Sequence, residues 1–338
     1  MTLEWVPPGT SQGIALRDDL VRLYGTTYST VEYFDIFHCK KVSDCWLLRM
    51  SDAGELKHVL VVSPANEETV VLNEMISLER SELELLSDAV FEKFPAPRLS
   101  INRIRISGGT SFLLGRRGFR FQTINDAVLG LPRTAHDYRQ MLGSQTRKHI
   151  TYYLNRLRKA FPDFRTAFVA AGDVSAEHID RIVEMNRGRL RSKGGQSSID
   201  RDYEERLLAL ARAHGVLCIC YANGKIIAGS ICTKVGNDAY LHVIAHDVEY
   251  DGFNAGQVCL YNSILYLLEM NCARFHMLWG RSEYKYRFGA RDENLVFFRM
   301  YRSGLRLAGG ICAFVLGRET RRLLNIPAKA IRKVARHG

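Results

Sequence analysis

The sequence predicts a mixed α/β protein with a mostly antiparallel sheet flanked by helices. Two hairpin turns, Asp52-Ala53-Gly54 and Asn223-Gly224, lie between runs of β-forming residues and predict antiparallel pairing. Residues 81–94 and 145–161 carry apolar side chains at helical spacing and predict amphipathic helices. Residues 239–279 add a strand, a short turn, an apolar helix and a second strand, in that order.

Residues 1–130 are predicted to form the first domain. Its predicted elements are strands 45–50, 55–62 and 69–72, helix 81–94, and strand 99–106. Pro95 and Pro97 end the helix, because proline cannot continue the helical hydrogen-bond pattern.

Residues 131–302 are predicted to form a second domain, with helices first and strands after them. Its predicted elements are helices 145–161, 175–193 and 200–214, strands 216–221, 225–233 and 239–246, the apolar helix after Gly256, and strands 274–279 and 295–301. Residues 303–338 are predicted to form a basic amphipathic tail.

The net charge of +11 is concentrated at the C-terminus, where residues 299–338 carry ten Lys and Arg against one acid. We therefore expect a basic arm and no general affinity of the surface for nucleic acid. Such a tail binds anionic lipid or folds back over the domain. No apolar run spans a bilayer and no secretory signal is visible, so we expect a cytoplasmic protein, with peripheral binding at the inner face of the membrane.

Eight cysteines are scattered along the chain without a Cys-x-x-Cys pair. Cys218 and Cys220 alternate along a predicted strand. This spacing indicates neither a zinc site nor a redox pair, so we expect buried free thiols and no metal.

The turn before the apolar helix is the candidate phosphate site. A small-residue turn that opens a helix presents unpaired N–H groups and the positive end of the helix dipole, which suit a pyrophosphate. Asn254, Ala255 and Gly256 form this turn, and Gln257 and Val258 are expected to supply N–H groups. The alternative is an ordinary loop in which Asn254 caps the helix.

The turn, its helix and the following Trp279-Gly280-Arg281-Ser282-Glu283-Tyr284-Lys285 resemble the GNAT-type acetyltransferase family that includes CelD-like proteins, with FemAB-type transferases as relatives. The family pattern has Pro-Gly in the turn, where this chain has Ala255-Gly256, and a downstream Tyr-Lys pair, which this chain keeps at the same spacing. The resemblance covers roughly residues 125–302. It implies tandem GNAT-like folds, the first of them degenerate and non-catalytic.

In a GNAT-type protein the strand before the turn lies beside the thioester, and its N–H groups polarise the acyl carbonyl. Strict alternation places Tyr240, His242, Ile244 and His246 on one face and Leu241, Val243 and Ala245 on the other. His242 or His246 is the expected general base, and Asp247 and Glu249 are alternatives. Each histidine also has a purely structural interpretation.

The polar cluster after the second strand supplies the other expected functional groups. Glu283 orients or deprotonates the nucleophile, Tyr284 protonates the departing thiolate, and Lys285 holds a phosphate or a carboxylate. Arg281, together with Tyr240, is expected to contact the acceptor substrate. The alternative is a salt-bridged network that fixes the edge of the sheet.

These features predict an acyl-coenzyme A-dependent N- or O-acyltransferase that transfers directly to a small molecule or a cell-envelope precursor, with acetyl-CoA or another acyl-CoA as donor. A FemAB-like transferase that uses aminoacyl-tRNA is the first alternative, and its tRNA would need the basic helix at Arg147 together with the tail. Four basic residues of helix 145–161 contact an anionic substrate or the adenosine 3′-phosphate of coenzyme A, or they form a solvated helix face: Arg147, Lys148, Arg156 and Lys159. A GNAT-shaped protein without catalysis, acting at a membrane surface or in regulation, is the second.

Overall fold

The computed structural model describes residues 1–9, 13–38, 40–107, 113–114 and 117–323. Within them, mostly antiparallel strands alternate with helices, so the predicted α/β fold with a mixed sheet is confirmed. Residues 324–338, which carry much of the predicted basic tail, lie outside the described residues.

The elements are numbered here in chain order. The helices are α1 (Gly13–Tyr24), α2 (Val31–Phe37), α3 (Arg80–Lys93), α4 (Ala135–Met141), α5 (Ser144–Ala160), α6 (Ala176–Ser192), α7 (Arg201–His214), α8 (Ala255–Glu269), α9 (Glu283–Arg287) and α10 (Gly304–Leu323). The strands are β1 (Thr2–Val6), β2 (Trp46–Asp52), β3 (Glu55–Ser63), β4 (Thr69–Val71), β5 (Ser77–Glu79), β6 (Arg98–Ser107), β7 (Leu113–Leu114), β8 (Gly118–Gly130), β9 (Arg165–Ala170), β10 (Gly215–Ala222), β11 (Lys225–Val235), β12 (Asp238–His246), β13 (Arg274–His276) and β14 (Arg291–Tyr301).

The chain forms two compact units. The first unites residues 1–60 with 124–295, and the second unites residues 61–123 with the described residues from 296 onward. The first unit therefore includes an N-terminal segment that is distant in sequence from the rest of it. The domain boundaries predicted at residues 130 and 302 stay a prediction.

In the first unit, neighbouring strands follow the order β8-β13-β12-β11-β10-β9, and β12 and β13 run parallel. The predicted hairpin joins β10 to β11, with Asn223 and Gly224 both at positive φ, as a two-residue turn between twisted strands requires. Apolar residues of α6 and α7 pack on one face of the sheet, around Ile182 and Leu207. Residues of α8, α4 and α5 pack on the other, around Ile264.

In the second unit, α3 connects the short strand β5 to β6, which runs parallel to it. Both β4 and β5 pair with β6 in parallel, while β14 pairs with β6 antiparallel. Leu83, Leu86 and Val90 of α3 are fully buried, so the predicted apolar stripe is confirmed. This strand–helix–strand arrangement is the one predicted for a degenerate GNAT-like copy, and the duplication itself stays a prediction.

Within the described residues, every helix is either too short or too polar to cross a bilayer. Near the C-terminus, α10 (Gly304–Leu323) forms most of the described part of the basic tail.

Candidate functional site

The central feature of the first unit is the point where β12 and β13 separate. The two strands pair over three residues each, 238–240 with 274–276, while β12 continues to His246. A short 3-10 turn, Val248–Phe253, then leads into α8, which returns the chain to β13. In α/β sheets, a crevice beyond the carboxyl ends of parallel strands is the usual ligand position.

A β-bulge lies on β12 at His242. Ile231 of β11 pairs with Val243, and its neighbour Cys232 pairs with Leu241, so that His242 is the extra residue. Leu241 therefore packs in the cluster with α8, whereas Val243 packs in the cluster with α6. The predicted strict alternation is wrong beyond His242, because a bulge changes the face without changing the residue pattern.

His242 ends a chain of hydroxyl groups. Its Nε2 lies 2.8 Å from the Thr233 hydroxyl, which lies 2.8 Å from the Thr27 hydroxyl. Burial lowers the pKa of His242 to about 4, so the imidazole is neutral near pH 7. Sequence reasoning did not identify Thr27 and Thr233 as partners, since 206 positions separate them.

An aromatic cluster surrounds Tyr28, which belongs to the short 3-10 helix Thr27–Ser29. Its ring centroid lies 5.6 Å from those of Tyr240 and Trp279 and 4.9 Å from that of Tyr33. The Tyr28 ring also lies 6.0 Å from the His242 ring. We call these five rings the Tyr28 cluster. It places Tyr240, a predicted substrate residue, beside His242.

A buried polar group lies where the two strands separate. Nδ1 of His276 is 2.6 Å from Asp126, and Nε2 is 3.3 Å from Asp238. The His276 and Asp126 side chains are 1% and 0% exposed. The His276 ring stacks on Tyr240, with centroids 4.6 Å apart. Sequence reasoning missed this group, although a histidine in an otherwise apolar strand was its one visible signal.

The start of α8 has two backbone amides without a hydrogen-bond acceptor. Asn254 takes a left-handed conformation, and its carbonyl oxygen accepts hydrogen bonds from the amides of Gln257 and Val258, at 2.9 and 3.3 Å. The two predicted phosphate donors are therefore engaged within the helix. Among the described residues, the amides of Ala255 and Gly256 find no acceptor, as is usual for the first turn of a helix. The phosphate-binding role of this turn stays a prediction.

Gly256 makes close contact with His246. A Cβ atom at Gly256 would lie 2.7 Å from Nδ1 of His246, so glycine permits this approach. Nε2 of His246 lies 2.6 Å from Asp251, whose side chain is 63% exposed. The structure thus places His246, a predicted base, beside the predicted phosphate turn.

The two acids predicted as alternative bases form part of the turn itself. Asp247 accepts a hydrogen bond from the backbone amide of Glu249 and makes an ion pair with Arg181. Glu249 is exposed. Asp247 therefore stabilises the start of the 3-10 turn, which favours a structural role over that of a general base.

Lys285 is buried behind the loop that follows β13. Its ammonium group, on a side chain 4% exposed, donates hydrogen bonds to the carbonyl oxygens of Leu278 and Trp279, both at 2.9 Å. Burial lowers the pKa of Lys285 to about 8, and the charges of Asp126 and Asp292 oppose this shift. The contacts favour a role in holding the Trp279 backbone.

The remaining predicted residues lie near α9 with different surroundings. Arg281 is exposed and lies 3.8 Å from Asp292. The carboxylate of Glu283 is exposed and has no hydrogen-bond or ion-pair partner among the described residues. Burial raises the pKa of Tyr284, so its phenol keeps its proton near neutral pH. These three roles stay predictions.

Three cysteines that are separated in sequence meet in the core. The sulfur atoms of Cys218, Cys220 and Cys259 lie within 4.8 Å of one another, and all three side chains are buried. Cysteine ligates soft metal ions as the thiolate, and hydrogen bonding within the cluster raises the pKa of the Cys218 and Cys259 thiols. The sequence showed the Cys218 and Cys220 alternation, whereas Cys259 reaches them from α8 across the fold.

Acidification is expected to destabilise the protein through His242. Between about pH 4 and pH 6.5 the unfolded chain binds a proton that the folded state excludes, so the free energy of unfolding falls as the pH falls through this window. The expected loss is about 1–3 kcal/mol, because the ring keeps some solvent exposure. Urea unfolding at both ends of the window should show a smaller loss for His242→Asn than for the wild type. Equal losses would contradict this assignment.

Comparison with known proteins gives the fold a family context. Residues 144–286 match a family model described as "Acetyltransferase (GNAT) domain". No curated protein matches the chain by sequence. The crystal structure of FemX is similar with a TM-score of 0.64 and 10% identity, over 89% of this chain and 97% of that one.

Two further structures are similar over most of their length. One is the C-terminal domain of a putative lysylphosphatidylglycerol synthetase from Agrobacterium fabrum, with a TM-score of 0.53 and 12% identity, over 90% of this chain and 95% of that one. The other is L-PGS from Bacillus licheniformis, with a TM-score of 0.52 and 11% identity, over 93% and 98%. The resemblance predicted from the turn and the Tyr284-Lys285 pair is confirmed: residues 144–286 match the GNAT acetyltransferase domain model, in a chain whose fold is similar to that of FemX.

Proposed function

We propose that this protein is an acyltransferase that takes an acyl group from an acyl-coenzyme A donor and passes it directly to an amine or a hydroxyl group. The observation that carries the proposal is the start of α8, where the amides of Ala255 and Gly256 have no acceptor and Gly256 contacts His246 at the end of β12. Amides in a first helical turn bind phosphate oxygens through their N–H groups and the helix dipole. GNAT domains typically bind acyl-CoA at this position.

The acyl group of such a donor would lie along β12, near the bulge at His242. Preorganised N–H groups beside the thioester carbonyl stabilise the charge that develops on its oxygen during transfer. Tyr284, which keeps its proton, is the candidate acid for the departing thiolate. The Tyr28 cluster is the candidate wall of the acceptor site, because it includes the His242 ring.

A ligand-binding experiment tests the proposal on the full chain. Acetyl-CoA should raise the unfolding temperature, since a ligand in hundredfold excess over its Kd stabilises the folded state by about 2.7 kcal/mol. Dephosphorylated pantetheine should stabilise much less, because it lacks the diphosphate that the Ala255 and Gly256 amides would hold. If no coenzyme A ester shifts the transition, the acyl-CoA donor is excluded, and a non-catalytic role gains support.

A FemAB-like reaction with aminoacyl-tRNA is the second candidate, favoured by the positive charge of α5. Arg139, Arg147 and Arg158 line a cleft of about 160 Å³ between α4, α5 and α8. Arg156, also on α5, donates a hydrogen bond to the Gly252 carbonyl oxygen and so reaches the turn before α8. A tRNA bound here should dissociate steeply as salt rises, because phosphate contacts release counterions. Weak salt dependence would argue against this donor.

For the acceptor, we propose a small molecule or a cell-envelope precursor. Support comes from the fold shared with a protein named as a lysylphosphatidylglycerol synthetase. We also propose that the basic tail binds the inner face of the membrane, since residues 299–338 carry a large excess of positive charge. Adding anionic vesicles to the same binding experiments separates tail binding from donor binding, because the two ligands should stabilise independently.

A further inference from the structure

The hydroxyls of Thr27 and Thr233 and the ring of His242 form one buried hydrogen-bonded chain. Thr27 Oγ1 and Thr233 Oγ1 are 2.8 Å apart, and Thr233 Oγ1 is 2.8 Å from His242 Nε2. Both threonines are fully buried. Each hydroxyl carries one hydrogen and its oxygen can accept two, so three arrangements make both hydrogen bonds.

The arrangements differ in which hydrogen is left without an acceptor. If Nε2 donates to Thr233, the hydroxyl hydrogen of either Thr27 or Thr233 finds no acceptor among the described residues, and both hydroxyls are buried. If Thr27 donates to Thr233 and Thr233 donates to Nε2, both hydroxyl hydrogens are used, and the unpaired hydrogen is the one on Nδ1 of the partly exposed His242. Leaving a buried donor unpaired is costly, so the arrangement in which Nε2 accepts is favoured by at least about tenfold.

We propose that Thr27 and Thr233 fix His242 in the tautomer that carries its proton on Nδ1, so that His242 presents an N–H donor to a bound ligand. A neutral imidazole that accepts at Nε2 must carry its hydrogen on Nδ1. Among the described residues, this Nδ1 has no partner and is not one of the buried unpartnered atoms, and His242 as a whole is partly exposed. The donor is therefore available to an oxygen lone pair of a ligand.

This assignment changes the expected role of His242. A ring held as an Nδ1–H donor stabilises negative charge on a ligand oxygen and does not remove a proton from the acceptor at that atom. That the oxygen belongs to an acyl carbonyl rests on the proposed function, whereas the tautomer does not. Thr27 and Thr233 are positioning residues, and they act through His242.

The tautomer is measured directly by ¹⁵N NMR of the full chain labelled at histidine, with the His242 signals assigned by their loss in His242→Gln. In the wild type we expect Nδ1 to show the shift of a protonated nitrogen and Nε2 that of an acceptor. Thr233→Val should change the ratio of the two tautomers by at least about tenfold, because it removes the hydroxyl that donates to Nε2. Thr27→Val should change the ratio in the same direction.

Ser230→Ala is the matched control. Ser230 is also a buried hydroxyl residue of β11, but its partner at 2.8 Å is Ser263. This variant should leave the His242 signals unchanged. A wild-type ring protonated at Nε2, or a Thr233→Val ring with unchanged signals, overturns the proposal. Neither outcome depends on which donor binds, so the proposed function fails or stands separately.

Discussion

Replacing His276 by Phe is expected to lower the free energy of unfolding by about 3–5 kcal/mol. Phe keeps an aromatic ring against Tyr240, so the stacking is largely retained. The carboxylate of Asp126, which is fully buried, loses the imidazole nitrogen at 2.6 Å. Because a buried polar group that loses its hydrogen-bond partner carries a large desolvation cost, this loss should dominate, and urea unfolding near neutral pH measures it.

The chain offers a matched control for this prediction in His246→Phe. His246 and Asp251 are also 2.6 Å apart, but this pair lies near the surface. Its removal should cost less than about 1 kcal/mol, because solvent screens exposed ion pairs. Combining Asp126→Leu with His276→Phe should recover part of the lost stability. Equal losses in the free energy of unfolding for His276→Phe and His246→Phe would show that burial does not determine how much each pair stabilises the protein.

Replacing Gly256 by Ala is expected to weaken donor binding by at least about tenfold, or about 1.4 kcal/mol. The new Cβ would lie 2.7 Å from Nδ1 of His246, so the imidazole must move away from Gly256, with or without loss of its contact with Asp251. Either movement alters access to the amides of Ala255 and Gly256. Calorimetric titration with acetyl-CoA measures the change.

Gly252→Ala is the control, because a Cβ at this nearby glycine meets nothing within 4 Å. Its affinity for the donor should equal that of the wild type. Alanine is a better helix former than glycine by about 1 kcal/mol, so Gly256→Ala should fold without a large loss of stability. Full affinity in Gly256→Ala would remove the turn from the donor site.

Local pattern was sufficient for most elements of the fold. The hairpin at Asn223-Gly224, the helix that follows Gly256 and the buried stripe of α3 all depend on residues close in sequence. The bulge at His242 was not predictable, since register depends on the neighbouring strand. Alternation alone therefore placed Val243 and Ala245 on the same face as Leu241, whereas they pack on the opposite face of the sheet.

The candidate site was predicted only where its parts lie within one segment. Gly256, His246 and Tyr284 come from the GNAT-like stretch and were recognised there. His276 meets Asp126 across 150 positions, and Thr27 meets Thr233 across 206. Such pairs arise from the packing of distant elements, and their residue types carry no local signal.

The position of Tyr28 determines how the protein should be produced for biochemistry. A truncated gene product limited to residues 144–286 would lack Thr27, Tyr28 and Asp126. Tyr240 would then lose an aromatic neighbour, and the Thr233 hydroxyl beside His242 would lose its hydrogen bond with Thr27. An inactive excised fragment would consequently reveal nothing about the chemistry of the intact protein.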